Sequence, residues 1–485
     1  MLLDNSITHT PHLLPIHQME NLKNECHVLI ALFPGQGHIN PSLQFSKKLI
    51  NLGVKVTLSS SLSAFNRIKN LPKIEGLTFA PFSDGYDGNF KGSFDDYHLF
   101  NSAIKSHGSE FIANLIKSKA KNGYPFTRVI YTILMDWAGS VAKKLHIPST
   151  LFWIQPATVF DIYYYRFTNF ANYFKNYDSQ DQIIELPGLP SLSSSDFPSF
   201  VFDDVKSNDW AVESIKRQIE ILNSEENPRI LVNTFDALEL NALRVLKNVT
   251  MVGIGPLIPS SFLDEKDRKD NFFAADMIES ENNYMEWLDA RANKSVIYIA
   301  FGSYAEISSQ WMEEISQGLL KCGRPFLWVI RETLNGEKPE EKLTCKDELE
   351  KIGRIVCWCS QMEVLKHSSV GCFLTHCGWN STLESLASGV PIVACPIWND
   401  QICNAKLIQD VWKIGVRVNA NKEGIVKRDE FQKCIEIVMG DAEEGEELRK
   451  NAQKWKDLAK ESTKENSSSN VNLKAYVNEC LLGHC

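Results

Sequence analysis

A chain of 485 residues is too long for one ordinary hydrophobic core and calls for two or three packed units of roughly 100–200 residues each. Hydrophobic residues make up 44% and charged residues 23%, which excludes a disordered chain. The formal net charge of −9 is spread along the sequence without the Lys/Arg cluster a nucleic acid needs, though one diphosphate asks only for a few donors at a helix N-terminus.

Residues 1–25 are polar and carry His9, His12 and His17. They lack the features of a signal or transit peptide, so a flexible extension and a cytoplasmic location are expected. No apolar run reaches the ~18 residues of a membrane span. Strand-like and helix-like segments then alternate. Residues 27–33 are a continuous apolar run, as in a parallel strand buried on both faces. A Gly-containing turn at 34–37 leads to a helical pattern from Asn40 that stops near Gly53. Residues 54–58, 129–134, 149–153 and 229–233 read as further strands. The alternation predicts a doubly wound parallel sheet in a first domain, 26–255. Residues 256–283, with a charged run at 264–270, are the expected linker. The same grammar returns over 284–460, with strands at 295–301, 325–330, 354–358, 370–375 and 392–395 and a helix over 309–321. Two α/β domains on one linker should meet across a ligand-binding cleft. Of the twelve cysteines only Cys26 precedes position 322, unlike a secreted disulfide framework. Cys357, Cys359, Cys372 and Cys377 form no Cys-x-x-Cys pair and are expected to be reduced, mostly buried thiols rather than zinc ligands.

Within residues 370–389 a strand runs into His376-Cys377-Gly378-Trp379-Asn380-Ser381 and then a helix. Such a turn presents free backbone N–H groups and a positive dipole end, which suits a diphosphate. Asn380 and Ser381 add side-chain donors, and His376 ends the strand facing the same place. Ser381 and Glu384 also have capping-box spacing, so capping and ligand binding explain that pair equally well. The wider segment separates the two. Trp358, Gln361, residues 364–367, the strand and turn above, Glu384, residues 389–391, Pro396 and Asp400-Gln401 follow in order. This series resembles, end to end, the signature box of the plant secondary-product UDP-glycosyltransferases, and the chain from about Cys26 onward resembles that family.

The resemblance implies a GT-B fold, two Rossmann-like domains facing a cleft, with the stretch 446–461 and the segment 461–485 packing back across the domains. It implies that Trp358 stacks on uracil, the Cys359 backbone reads the uracil edge, and Gln361 and Glu384 bind the ribose. His376, Asn380, Ser381 and Ser303 would hold the diphosphate. Trp379, Asp400 and Gln401 would contact the sugar, and a Gln at the end of the box goes with UDP-glucose. No cofactor is expected. The chain lacks the Asp-x-Asp motif of many metal-dependent glycosyltransferases, so helix dipole and neutral donors would stabilise departing UDP.

Gly35-Gln36-Gly37-His38 follows the first strand, and Asn40 breaks the G-x-G-x-x-G pattern of a dinucleotide-dependent oxidoreductase. Taken alone, His38 reads more readily as a helix-start or core histidine than as a catalytic one. In the family it resembles, this histidine is the general base for an acceptor oxygen that attacks the anomeric carbon and inverts it. The base's usual partner is an Asp in a Tyr-Asp-x-x-x-x-Trp stretch. Here the stretch runs from Tyr131-Thr132 to Asp136-Trp137, with Thr132 where the Asp is expected. A hydroxyl accepts an imidazole N–H but does not stabilise imidazolium as a carboxylate does. Asp136 either compensates or begins the next helix. A weak base disfavours aliphatic alcohols and suits acidic phenols or carboxylic acids. Tyr131-Thr132, residues 153–165 and residues 83–87 resemble the branch holding anthocyanin 5-O-glucosyltransferases and crocetin glucosyl-ester-forming enzymes. The expected activity is glucose transfer from UDP-glucose to a phenolic hydroxyl on a small hydrophobic acceptor such as a flavonoid or anthocyanin. The alternatives are glucosyl-ester formation on a carboxylic acid and a non-catalytic UDP-sugar-binding protein. The aromatic run 153–165 fits a flat acceptor and a core equally, and Phe82, Tyr86 and Phe90 raise the same question.

Overall fold

The computed structural model describes residues 26–68, 71–87, 96–168, 171–174, 182–202, 209–263, 283–303, 307–333 and 338–482. The expected extension 1–25, most of the expected linker with its charged run, and Phe90 lie outside the described residues.

The first sheet collects β1 (His27–Ala31), β2 (Lys55–Ser59), β3 (Leu77–Phe79), β4 (Arg128–Thr132) and β5 (Ser149–Trp153). A two-residue antiparallel pair, β6 (Ile183–Ile184) and β7 (Leu192–Ser193), stands apart, and β8 (Arg229–Val232) and β9 (Thr250–Gly253) complete the sheet. The order is β3-β2-β1-β4-β5-β8-β9, parallel throughout. The second sheet holds β10 (Val296–Ala300), β11 (Phe326–Val329), β12 (Arg354–Val356), β13 (Val370–Thr375), β14 (Ile392–Ala394) and β15 (Gly415–Arg417), again all parallel, in the order β12-β11-β10-β13-β14-β15. The central strands are the apolar runs read from sequence, because a parallel strand covered by helices on both faces has no polar side to show. The edge strands β3, β9 and β15 did not stand out in the sequence, being three or four residues long and paired on one side only.

In a doubly wound sheet, ligands bind where the strand order reverses, outside the carboxyl ends of the strands. That point lies between β1 and β4 in the first sheet and between β10 and β13 in the second. The β1 exit leads to His38, and β4 ends at Thr132; the β10 exit leads to Ser303, and β13 ends before His376. Both halves of the expected site therefore follow from topology.

The first helix starts at Gln36, earlier than the expected Asn40, so Pro41 lies inside it. Proline has no amide hydrogen, and the carbonyl four residues back, that of Gly37, loses its intrahelical donor. Further tryptophans tie the sheets together. The Trp379 indole N–H donates to the Asn233 carbonyl at 2.8 Å, that of Trp412 to the Leu238 carbonyl at 3.3 Å, and the two rings lie 5.9 Å apart. The Glu443–Glu461 helix adds Trp455, whose indole donates to the Trp412 carbonyl at 2.9 Å. The Ser468–Leu482 helix reaches the first sheet through Ser469 to the Gly255 carbonyl at 2.7 Å and the Tyr476 hydroxyl to Thr150 at 3.2 Å.

Candidate active site

Three βα turns at the cleft contain a non-glycine residue in the left-handed region: Leu134 after β4, Cys377 after β13 and Asn399 after β14. Such conformations are uncommon outside glycine and mark places where the surroundings dictate the backbone. Cys377 introduces the Trp379–Ser388 helix, whose first amides have no intrahelical acceptor and point out of the helix end. His376 is packed so closely here that a side chain on Gly302 or Gly378 would lie 2.4 or 2.5 Å from its Nε2. Its imidazole is pressed down to about 4, by burial first and by Arg331 second, and is a neutral hydrogen-bonding group at pH 7.

Around this helix the remaining donor-side residues fall into small hydrogen-bonded groups. Gln361 donates through Nε2 to Glu384 at 2.6 Å and to the Ser381 hydroxyl at 3.0 Å, and its Oε1 accepts from Tyr298 at 3.3 Å. Burial raises the Glu384 carboxyl to about 7, opposed by the Gln361 hydrogen bond. The buried Trp358 indole N–H has no hydrogen-bond partner among the described residues. Arg331, not singled out from sequence, lies over the Trp358 ring at 5.7 Å and donates to the Ser303 carbonyl at 2.8 Å. Tyr298 was missed as well. It is a polar residue in the middle of the apolar run of β10, at the strand-order reversal, and that would have drawn attention to it. The buried Cys359 thiol lies 3.5 Å from the same Tyr298 hydroxyl. Asp400 accepts from Asn404 at 2.7 Å, its carboxyl raised to about 6 by burial. Gln401 uses its carbonyl oxygen on the Ile397 and Trp398 amides, which leaves its NH2 unbonded among the described residues. The Trp379 indole is spent on Asn233, so only the main chain of that residue is open to a sugar.

Across the cleft, His38 lies in the first turn of its helix with Nδ1 3.0 Å from the Thr132 hydroxyl, its ring centre 5.2 Å from that of Phe33. Asp136 does not join them. Its two oxygens accept from Ser214 at 2.5 Å and Arg217 at 2.7 Å, and it is the first residue of the Asp136–Lys144 helix. Of its two expected roles, the structure supports the helix start. The two sides meet directly: Asn380 Nδ2 donates to the Gly37 carbonyl at 3.0 Å, the one that Pro41 leaves without a donor. The aromatic run also resolves. Trp153, Phe160, Tyr163, Tyr164 and Tyr165 are all buried, so its body is core. Phe82 is buried against Trp137, and Tyr86 packs edge-on to Phe100. The described cysteines are free thiols, buried except for the half-buried Cys322 and Cys357.

The family model for UDP-glucoronosyl and UDP-glucosyl transferase matches residues 270–460. A UDP-glycosyltransferase (75C1) of Solanum lycopersicum is 52% identical over 93% of this chain and 98% of its own. The chain belongs to the UDP-glycosyltransferases. The crocetin glucosyltransferase, chloroplastic, of Gardenia jasminoides is 50% identical over 94% of this UDP-glycosyltransferase and 98% of its own length. Among solved structures, Os79 from O. sativa in complex with UDP superposes with a TM-score of 0.80 at 31% identity, covering 93% of this chain and 100% of that one. The fold is thus GT-B, and the enzyme takes a UDP-sugar donor and a small-molecule acceptor. No described helix is long and apolar enough to cross a membrane.

Proposed function

We propose that this UDP-glycosyltransferase transfers glucose from UDP-glucose, with inversion, to an acidic oxygen on a small hydrophobic acceptor. The leading acceptor is a phenolic hydroxyl of a flavonoid or anthocyanin, giving a β-O-glucoside. The observation that carries the proposal is the Asn380–Gly37 hydrogen bond, which places the diphosphate-ready helix end against the turn bearing His38. Uracil stacks on Trp358 with its edge at the Cys359 backbone, the ribose meets Gln361 and Glu384, and the diphosphate meets His376, Asn380, Ser381 and Ser303. The sugar meets Gln401, Asp400 and the Trp379 main chain, and Gln401 favours glucose. The enzymes named phloretin 4'-O-glucosyltransferase, 50% identical, and anthocyanidin 3-O-glucoside 5-O-glucosyltransferase 1, 46% identical, support a phenolic acceptor. Thr132 beside His38 favours a second reading, ester formation on a carboxylic acid, in line with the name of the crocetin relative. The reaction needs no metal, and a chelator should leave the rate unchanged. A cytoplasmic location belongs to the same proposal, and cell fractionation checks it.

UDP release from UDP-glucose with flavonoids, anthocyanins and aromatic or terpenoid acids tests the reading. Alkali-stable products identify hydroxyl acceptors and alkali-labile ones esters. His38→Ala should lower turnover about tenfold or more, whether His38 takes the acceptor's proton or donates a hydrogen bond to the acceptor oxygen. Turnover unchanged by that substitution would sink the role of His38.

A further inference from the structure

A proton count at Thr132 says more about the acceptor than the presence of His38 does. Thr132 is fully buried, and its Oγ1 accepts from the Phe33 amide at 3.2 Å and lies 3.0 Å from His38 Nδ1. A threonine hydroxyl has one proton to donate. Among the described residues its only available acceptor is His38 Nδ1. The neutral imidazole then carries its own proton on Nε2, the nitrogen bonded to no described residue. In the other tautomer Nδ1–H donates to Thr132, and a buried hydroxyl proton is left without an acceptor. That loss shifts the tautomer ratio by about 5- to 150-fold.

Charged groups on the surrounding elements do not reverse the preference. His27 and Arg128 are tied to Thr57 and to Ser149 and Thr150, at the far ends of β1 and β4. Lys47 and Lys48 sit late in the His38 helix. Arg67 is bonded to the Pro34 carbonyl, and Asp136 to Ser214 and Arg217. His376, on the donor side, is neutral. Burial alone holds His38 at about 3, so no positive charge forms there near neutrality.

We infer that the site serves acceptors whose attacking oxygen arrives already ionised, a carboxylate or an acidic phenol's phenolate, and that His38 Nε2–H donates a hydrogen bond to that anion. The inference rests on the proposed glucosyl transfer and specifies its acceptor. In the step, an oxygen electron pair forms the bond to the anomeric carbon while the bond from that carbon to the UDP oxygen breaks. The electrons leave on UDP, and no proton moves. Thr132 is a positioning residue, because it acts only through the tautomer of His38.

The test is a set of substituted phenols, benzoic acids and alcohols of graded acidity, assayed with the wild-type enzyme and UDP-glucose across the neutral pH range. For each phenol kcat/KM should rise with pH up to that phenol's own pKa, with the more acidic phenols faster at neutral pH. Carboxylates should show a flat profile. Thr132→Asp supplies an acceptor for both the Phe33 amide and an Nδ1–H, freeing Nε2 as a base. It should raise activity on weakly acidic hydroxyls relative to carboxylates about tenfold or more, with one inflection shared by all hydroxyls. A shared inflection already present in the wild type, or rates indifferent to phenol acidity, would overturn the inference while leaving glucosyl transfer intact. Those wild-type profiles decide the matter even where the variant does not fold. UDP release with no acceptor at all would overturn the glucosyl-transfer proposal and this inference with it.

Discussion

At Glu384, burial and function pull in opposite directions. The carboxyl is raised to about 7, yet the proposed ribose contact needs the carboxylate as hydrogen-bond acceptor. Ionisation through neutrality should therefore strengthen donor binding. Calorimetry should show UDP-glucose affinity rising by up to about tenfold between pH 6 and 8, and Glu384→Gln should flatten that dependence. The sugar nucleotide is the right probe, because its diphosphate does not titrate in this window. The residues that gather around the second-sheet turn were legible where identity and order carry the information, as for Trp358, Gln361, His376 and Glu384. Arg331 and Tyr298 were not, because they matter through contacts between strands that lie far apart in sequence. The Asp136 ambiguity had the same origin, since its partners Ser214 and Arg217 lie on a distant helix.

The Ala157–Phe167 helix shows how a buried element handles charge. Its first amides, those of Ala157 and Thr158, donate to Glu239 at 3.0 Å each, and the Thr158 hydroxyl adds a third bond at 2.8 Å. A carboxylate at a helix N-terminus satisfies otherwise orphaned donors and the helix dipole together. Glu239→Ala should cost about 3 kcal/mol, read as a lower urea midpoint. One turn on, both oxygens of fully buried Asp161 lack partners among the described residues, and burial, then Glu239, push its carboxyl well up. The folded state thus favours its protonated form. The associated stability is fully present below the ordinary carboxyl value near 4 and is lost as pH rises above it. Asp161→Asn does not titrate, so its urea midpoint should gain on the wild type as pH climbs from about 4 to 7. The sequence marked this run as aromatic without separating core from acceptor surface, since hydrophobic content is the same for both. Strand and helix placement was more legible, because period and apolar runs are local properties.

At the scale of the molecule, the two sheets are joined by buried polar contacts as well as by covalent linkage. Trp379, Trp412 and Trp455 each spend an indole N–H on a backbone carbonyl of another segment. The Ser468–Leu482 helix fastens the chain's end to β5 through Tyr476 and to the region after β9 through Ser469. Tyr476→Ala should cost about 3 kcal/mol locally, and amide exchange should accelerate in β5, β8 and β9 ahead of the second sheet. The bond from Asn380 to Gly37 has a consequence for register. An amide NH2 has two hydrogens, so one can stay on the acceptor-side backbone while the other meets a phosphate oxygen. In the proposed donor complex Asn380 is then a gauge of fixed length between leaving group and incoming nucleophile, and Pro41 keeps it calibrated by leaving the Gly37 carbonyl no rival donor. Pro41→Ala would restore that rival, and the slack should appear as a lower kcat with KM for UDP-glucose little changed.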